Sequence, residues 1–188
     1  MGGGFHVGAA SITTVAHLLL IAITSLLLVW LLHFREGVAF FSSSNPTKIF
    51  NVSSPSTPNA MVAGVLGIIA VFKSKKEVGL PDMYTLHSWL GMSAICLFGL
   101  QYIIGFFSYV FPGAEMYTRA SLLPWHRFVG MAIFLLAVGT AETGLLQYFQ
   151  FLNLFRSQEA LIVNFTALLL FLYAFFVALS VTLPTNYS

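Results

Sequence analysis

Four apolar stretches dominate the chain, at residues 9–34, 84–111, 125–152 and 160–183. Each exceeds the roughly 20 residues that a helix needs to cross a hydrocarbon core of about 30 Å. Lipid offers no hydrogen bonds to the backbone, and only helices satisfy every amide within their own segment. The expected fold is therefore all-α, a polytopic membrane helix bundle, with residues 1–188 forming one transmembrane domain. Composition leads to the same place. Only 7% of residues are charged against about a quarter in a soluble domain, and mean hydropathy is +0.89. A chain of 188 residues has room for about five or six spans and no separate soluble catalytic domain. Its formal charge of +2 is scattered, with no basic block beside aromatic platforms, which excludes nucleic-acid binding. The single cysteine, Cys96, excludes an intrachain disulfide, a thiolate zinc site and a cysteine-held cluster, so metal chemistry has to rest on histidine.

Between the spans the signals are those of loops and breaks. Residues 35–59 are polar, and Ser53-Ser54-Pro55-Ser56-Thr57-Pro58 is loop chemistry that no helix should cross. Residues 60–72 are apolar but amount to about 13 residues, some 20 Å of helix, hence half a span. Lys73, Lys75 and Lys76 follow. Pro112, Pro124 and Pro184 are expected to end or open helices. The count is four full spans and a half-length fragment. The first stretch has no basic segment ahead of it and is too long for a cleavable signal, so it reads as a retained span. By lysine and arginine counting, Arg35, Lys48 and Lys73 to Lys76 share one side, which the positive-inside rule places in the cytoplasm, with Arg119 and Arg127 opposite.

The second and third long stretches carry matching stripes at helical spacing. From His87 one face runs through Gly91, Ala94, Phe98, Gln101, Gly105 and Ser108; from His126 it runs through Gly130, Ile133, Ala137, Thr140, Gly144 and Gln147. A stripe of small residues lets another body approach the backbone, either a neighbouring helix or a flat cofactor. The histidine at the head of each stripe adds a second reading. Ionisable groups inside a membrane are costly and mark function, and imidazole is a strong ligand for haem iron. With one histidine before the long crossing and the other after the turn that follows it, the pair should lie about 30 Å or more apart. They would serve two irons, one near each membrane face, and each iron would want a further ligand.

Several motifs resemble those of the cytochrome b561 family, the plant-type ascorbate ferrireductases in particular. They are Tyr84-Thr85-Leu86-His87-Ser88-Trp89-Leu90-Gly91, Phe111-Pro112-Gly113-Ala114 and Leu123-Pro124-Trp125-His126. Further similarity at His33-Phe34-Arg35-Glu36-Gly37, Ile49-Phe50-Asn51-Val52, Ala141-Glu142-Thr143-Gly144 and Gln158-Glu159-Ala160-Leu161 carries the resemblance along nearly the whole chain. It implies a six-helix membrane protein with two haem b groups, each held by two histidines on the four central helices. Electrons would pass from cytoplasmic ascorbate to monodehydroascorbate or a ferric chelate across an endomembrane, vacuolar or similar, in a protein able to form a homodimer. On this resemblance His87 matches the ligand of the non-cytoplasmic haem, and Asp82, Met83, Tyr84 and Thr85 match the segment that lines that haem. His126 matches the ligand of the cytoplasmic haem, and Arg119 the basic residue that contacts ascorbate. Gln147 stands where animal members carry a glutamate.

The chain also departs from the family pattern. Where a His-Pro dipeptide should follow Asn51-Val52 and open helix two, Ser53-Ser54-Pro55 stands instead. Similarity resumes at Val62-Ala63-Gly64-Val65-Leu66-Gly67, which looks like the second half of helix three. Roughly 40 to 50 residues are missing, about two spans with their loop. The gap takes one histidine from each haem, together with cytoplasmic lysines, which accounts for the disagreement between the charge count and the family's orientation. An alternative follows: a shortened, haem-deficient membrane protein without redox activity, at most a partner of a full-length form. A small transporter lined by Gln101, Glu142 and Gln147 would need broken helices or an internal repeat.

The other polar residues carry weaker signals. His17 and His33 lie about 24 Å apart along the first span; they could face the two vacated ligand positions or reach toward water. Glu142 lies within its span, in a structural or a proton-handling role. Cys96 reads as a small packing residue, His6 as part of the terminus, and Asn51-Val52-Ser53 as a glycosylation sequon if its loop faces a lumen.

Overall fold

The computed structural model describes residues 9–34 and 57–183, with side chains over 11–34 and 64–183. Among these residues the regular structure is helical, in the order α1 (Ala9–Val29), α2 (Thr57–Glu77), α3 (Leu86–Gly105), α4 (Met116–Phe151) and α5 (Gln158–Thr182). Both α1 and α3 run on into one wider π-helical turn, Trp30–Phe34 and Phe106–Val110. Four helices among the described residues are long and apolar enough to cross a membrane. The chain is thus a polytopic all-α membrane protein. His6, the sequon at Asn51 and Pro184 lie outside the described residues.

Two expectations are corrected. The apolar fragment belongs to a 21-residue helix, α2, that starts at Thr57 with Pro58 as its second residue. The first turn of a helix leaves its amides unbonded, so proline costs nothing there. At the other end α2 runs through Lys73, Lys75 and Lys76 to Gly79, whose φ of +68° suits glycine. There Leu80 N donates to the Lys75 carbonyl and Gly79 N to that of Lys76, a Schellman ending. The second correction concerns Pro124, which lies inside α4 and does not open it. That helix begins at Met116, so Arg119 and His126 lie on one helix.

The other ends follow local chemistry. Thr85 caps α3, its Oγ1 accepting from Ser88 N at 3.4 Å, and Ser157 caps α5, its Oγ accepting from Ala160 N at 3.0 Å. Asn153 takes a left-handed φ of +50° just past α4, where Leu154 N reaches back to the Phe149 carbonyl at 3.2 Å.

The chain divides into two compact units, one of residues 1–30 with 148–188 and one of residues 31–147. In the first, α1 packs along α5. Ile12, Ala16 and Ile23 are buried on α1, as are Ala160, Val163, Thr166 and Ala174 on α5. Lipid tails are as apolar as these side chains, so what holds such a pair is close approach of small residues and bonds between polar ones. Trp30 supplies one of those bonds, donating from Nε1 to Glu159 Oε1 at 2.6 Å, with its ring edge-on to Tyr148. In the second unit α2 meets α3 where Gly64 faces Ile95; a methyl on Gly64 would come within 2.7 Å of the Ile95 side chain. The same unit holds the α3–α4 hairpin and both histidine stripes. Cys96, expected to be a packing residue, is exposed on α3.

Candidate functional site: the α3–α4 hairpin

The two small-residue stripes face each other. Ala94 on α3 and Ile133 on α4 are the buried residues of their helices, and each stands seven residues after its histidine. Gly91 lies opposite Thr140, whose Cγ2 would be 3.2 Å from a methyl added there. Each histidine ring then rests on the glycine of the other helix. His87 lies over Gly144, where a methyl would come within 2.8 Å of Cε1, and His126 lies over Gly105, where it would come within 3.3 Å. The helix-packing reading of the stripes is realised, and it is the opposing imidazole that needs the missing side chain.

A polar partner accompanies each ring. His87 Nδ1 lies 2.8 Å from the carbonyl oxygen of Thr140. A carbonyl only accepts, so Nδ1 carries the proton and donates, which leaves the lone pair of a neutral ring on Nε2. Thr143 Oγ1 donates to the same carbonyl at 2.9 Å. At the other corner Gln101 Nε2 lies 2.8 Å from the His126 carbonyl and 3.0 Å from His126 Nδ1. The carbonyl again can only accept, which identifies that end of the amide as NH2, and its second hydrogen points to Nδ1. Nδ1 of His126 therefore accepts, and its ring carries the proton on Nε2.

Counted along the sequence, both corners obey one rule. Gln101 and Thr140 each stand fourteen residues after the histidine of their own helix, and Gly105 and Gly144 eighteen residues after. Thr140 and Gln101 belong to the stripes, but a stripe read on one helix does not show that each meets the histidine of the other. Superposing the two stripes, polar on polar and glycine on glycine, is the signal that picks them out. Because His87 lies beside Thr140 and Gly144 of α4, the rings are separated along that helix by about 21–27 Å at 1.5 Å per residue. This is closer than the 30 Å or more expected, because α4 begins ahead of Pro124 and carries His126 well inside itself.

The other candidates sort by corner. Beside His87, Asp82 and Tyr84 are exposed in the bend before α3, Met83 holds a left-handed φ of +54°, and Thr85 is the cap. Beside His126, Arg119 lies about two turns earlier on α4 and is exposed. Its Nε donates to the Ala114 carbonyl, while Tyr109 Oη donates to the Arg119 carbonyl at 3.3 Å. A groove of about 290 Å³ opens next to His126, lined by Gln101, Ser108, Tyr109 and Trp125 and by leucine, isoleucine and valine side chains. His17 donates from Nδ1 to the Thr13 carbonyl of its own helix at 2.7 Å, and His33 stands edge-on to Phe34. Glu142 keeps one buried carboxylate oxygen, Oε1, without a hydrogen-bond partner among the described residues.

Among the described residues no group of three or more histidine, cysteine or carboxylate side chains could hold a metal ion. Haem iron takes four nitrogens from its own ring, so a cluster of three protein ligands is not what such a group requires. The donor set fits such a group at His87, where a backbone carbonyl fixes the ring with Nε2 available, and an apolar groove lies beside the second imidazole.

Comparison with known proteins accords with this layout. Residues 14–152 match the family profile described as eukaryotic cytochrome b561. The chain is 36% identical to the rice (Oryza sativa subsp. japonica) protein named probable ascorbate-specific transmembrane electron transporter 1, over 97% of this chain and 94% of that one. It is 32% identical to transmembrane ascorbate ferrireductase 1 of Arabidopsis thaliana, over 93% of this chain and 88% of the other. The rice alignment runs over 221 positions whereas this chain has 188 residues, so the relative carries residues that have no counterpart here. With two intramembrane histidines on facing stripes and a match over most of its length, the chain belongs to the eukaryotic cytochrome b561 family.

Proposed function

We propose that this protein carries electrons across a membrane from ascorbate to monodehydroascorbate or a ferric chelate, with haem b held at His87 and at His126. The single observation that carries the reading is the His87 corner, where Nδ1–H is tied to a backbone carbonyl and Nε2 is left to ligate. The names of the plant relatives support ascorbate as donor and an oxidoreductase activity. Haem iron, when bound, supplies the one-electron carrier.

The chain's own residues do the rest. His87 and His126 set two binding points at opposite ends of one hairpin, and the glycines opposite each ring keep it pressed to the backbone. Arg119, with the Nε–H of its guanidinium held by the Ala114 carbonyl, would offer its Nη donors to the ascorbate anion through charge-assisted hydrogen bonds at the His126 end. That end would face the cytoplasm and the Asp82 to Thr85 end the interior of a vacuolar or similar endomembrane. The second ligand for each iron would come from another histidine of this chain or from a second chain in a homodimer.

The longer plant relatives favour one alternative, a haem-deficient form acting only as a partner of a full-length protein. A reduced-minus-oxidised visible spectrum of membranes containing this chain, with ascorbate as reductant and haem counted per polypeptide, separates the two. Ascorbate-reducible haem at up to two per chain supports electron transfer; its absence leaves the haem-deficient reading.

A further inference from the structure

We infer that Gln101 is a positioning residue that holds His126 in the tautomer opposite to that of His87, so that His126 can ligate only after the Gln101 amide lets go of its ring. The inference deepens the proposed haem binding at His126 and rests on it for its consequence, though not for its test.

Imidazole binds iron through a nitrogen that carries no proton, and which nitrogen that is depends on the hydrogen bond made by the other. At His87 the partner is an acceptor, the Thr140 carbonyl at 2.8 Å, so Nε2 is bare. At His126 the partner is a donor, the Gln101 amide at 3.0 Å, so Nδ1 is bare and Nε2 is protonated. Turning the amide over is blocked by its second bond, 2.8 Å from the His126 carbonyl, because a flipped Gln101 would set oxygen against oxygen there. Nor can Nδ1 itself take iron, since Gln101 stands against it. The His126 ring rests close to Gly105, and the route to ligation is a proton shift from Nε2 to Nδ1 with loss of the Gln101 contact. His87 is ready without rearrangement, so the two positions fill in a fixed order, His87 first.

The test reads the ring protons directly, before any haem is added. The full chain is labelled with 15N in histidine and reconstituted in lipid nanodiscs, and the resonances of His87 and His126 are assigned by their single alanine variants. Bare and protonated ring nitrogens differ widely in 15N shift. The expected spectrum has Nε2 bare at His87 and Nδ1 bare at His126. In Gln101→Met, which keeps the length and removes the donor, the His126 pattern should move toward that of His87, whose pattern should stay unchanged. Titrating haem into the two apo proteins should then show tighter binding at His126 in Gln101→Met, by about tenfold, the order that a ligand's hydrogen-bond partner commonly sets. Bare Nε2 at His126 in the parent chain, or a His126 pattern that Gln101→Met leaves unmoved, overturns the inference. Absence of haem binding by either protein would instead count against the proposed function, with the tautomer result standing by itself.

Discussion

His87 and His126 occupy the two ends of one hairpin, and each rests on a glycine of the opposite helix with a polar contact on Nδ1. What differs is the partner. At one end it is a main-chain carbonyl, which no substitution removes and which can only accept. At the other it is a side-chain amide, which substitution can delete and which donates. The fit differs as well: the space above Gly144 is tighter, 2.8 Å against 3.3 Å above Gly105. One spacing rule thus produces a corner fixed by backbone and a corner set by a single replaceable side chain. In a membrane, where helix pairs are held by close contact and by polar bonds, such a difference decides which end is robust.

The strongest way to break the comparison is to delete each ring in turn. His87→Ala and His126→Ala should each cut the ascorbate-reducible haem per chain to about half, and equal spectra from the two variants would show that the corners are not separate sites. Next in size is Arg119→Ala. A hydrogen bond to a charged group contributes roughly 1.5–3 kcal/mol, so the apparent KM for ascorbate should rise about ten- to a hundredfold with haem content unchanged. His87→Ala should leave that KM alone, and stopped-flow reduction by ascorbate measures both.

The glycines give a finer contrast. Gly144→Ala forces a methyl against the His87 ring; overpacking costs about 1–3 kcal/mol, only partly offset by a helix-propensity gain of about 1 kcal/mol. Gly105→Ala has more room and should be close to neutral, so thermal unfolding in detergent should rank Gly144→Ala well below it. Smallest of all is Thr140→Val. Among the described residues the hydroxyl it removes bonds to the Leu136 carbonyl at 2.8 Å, whereas the contact to His87 is made by main chain. It should change stability by less than about 1 kcal/mol and leave the His87 ring nitrogens unshifted by 15N NMR.

Much of this architecture is legible in the residues themselves. Apolar length located the four spans to within a few residues at most ends, and the stripes named the faces that meet. The misreadings have physical causes. Pro124 reads as a helix start, yet α4 continues through it, since a proline inside a helix removes one amide bond and the rest of the ladder can still form. The lysines after the apolar fragment read as its end, although lysine is a good helix former and Gly79 is the true stop. The roles of Gln101 and Thr140 were hidden for a different reason. A periodicity shows which residues share a face of one helix, and the ring partners come from pairing two helices in a particular register.

That register has a consequence for how the hairpin can change over time. The stretch from His87 to Gly105 lies alongside the stretch from His126 to Gly144, and both have the same length. They behave as two rulers laid end against end. A residue inserted in one turns everything beyond it by about 100° and advances it by about 1.5 Å, so whichever corner stays aligned, the other is lost. Only a matching insertion in the second helix restores both. Length in this hairpin therefore has to change in both helices together.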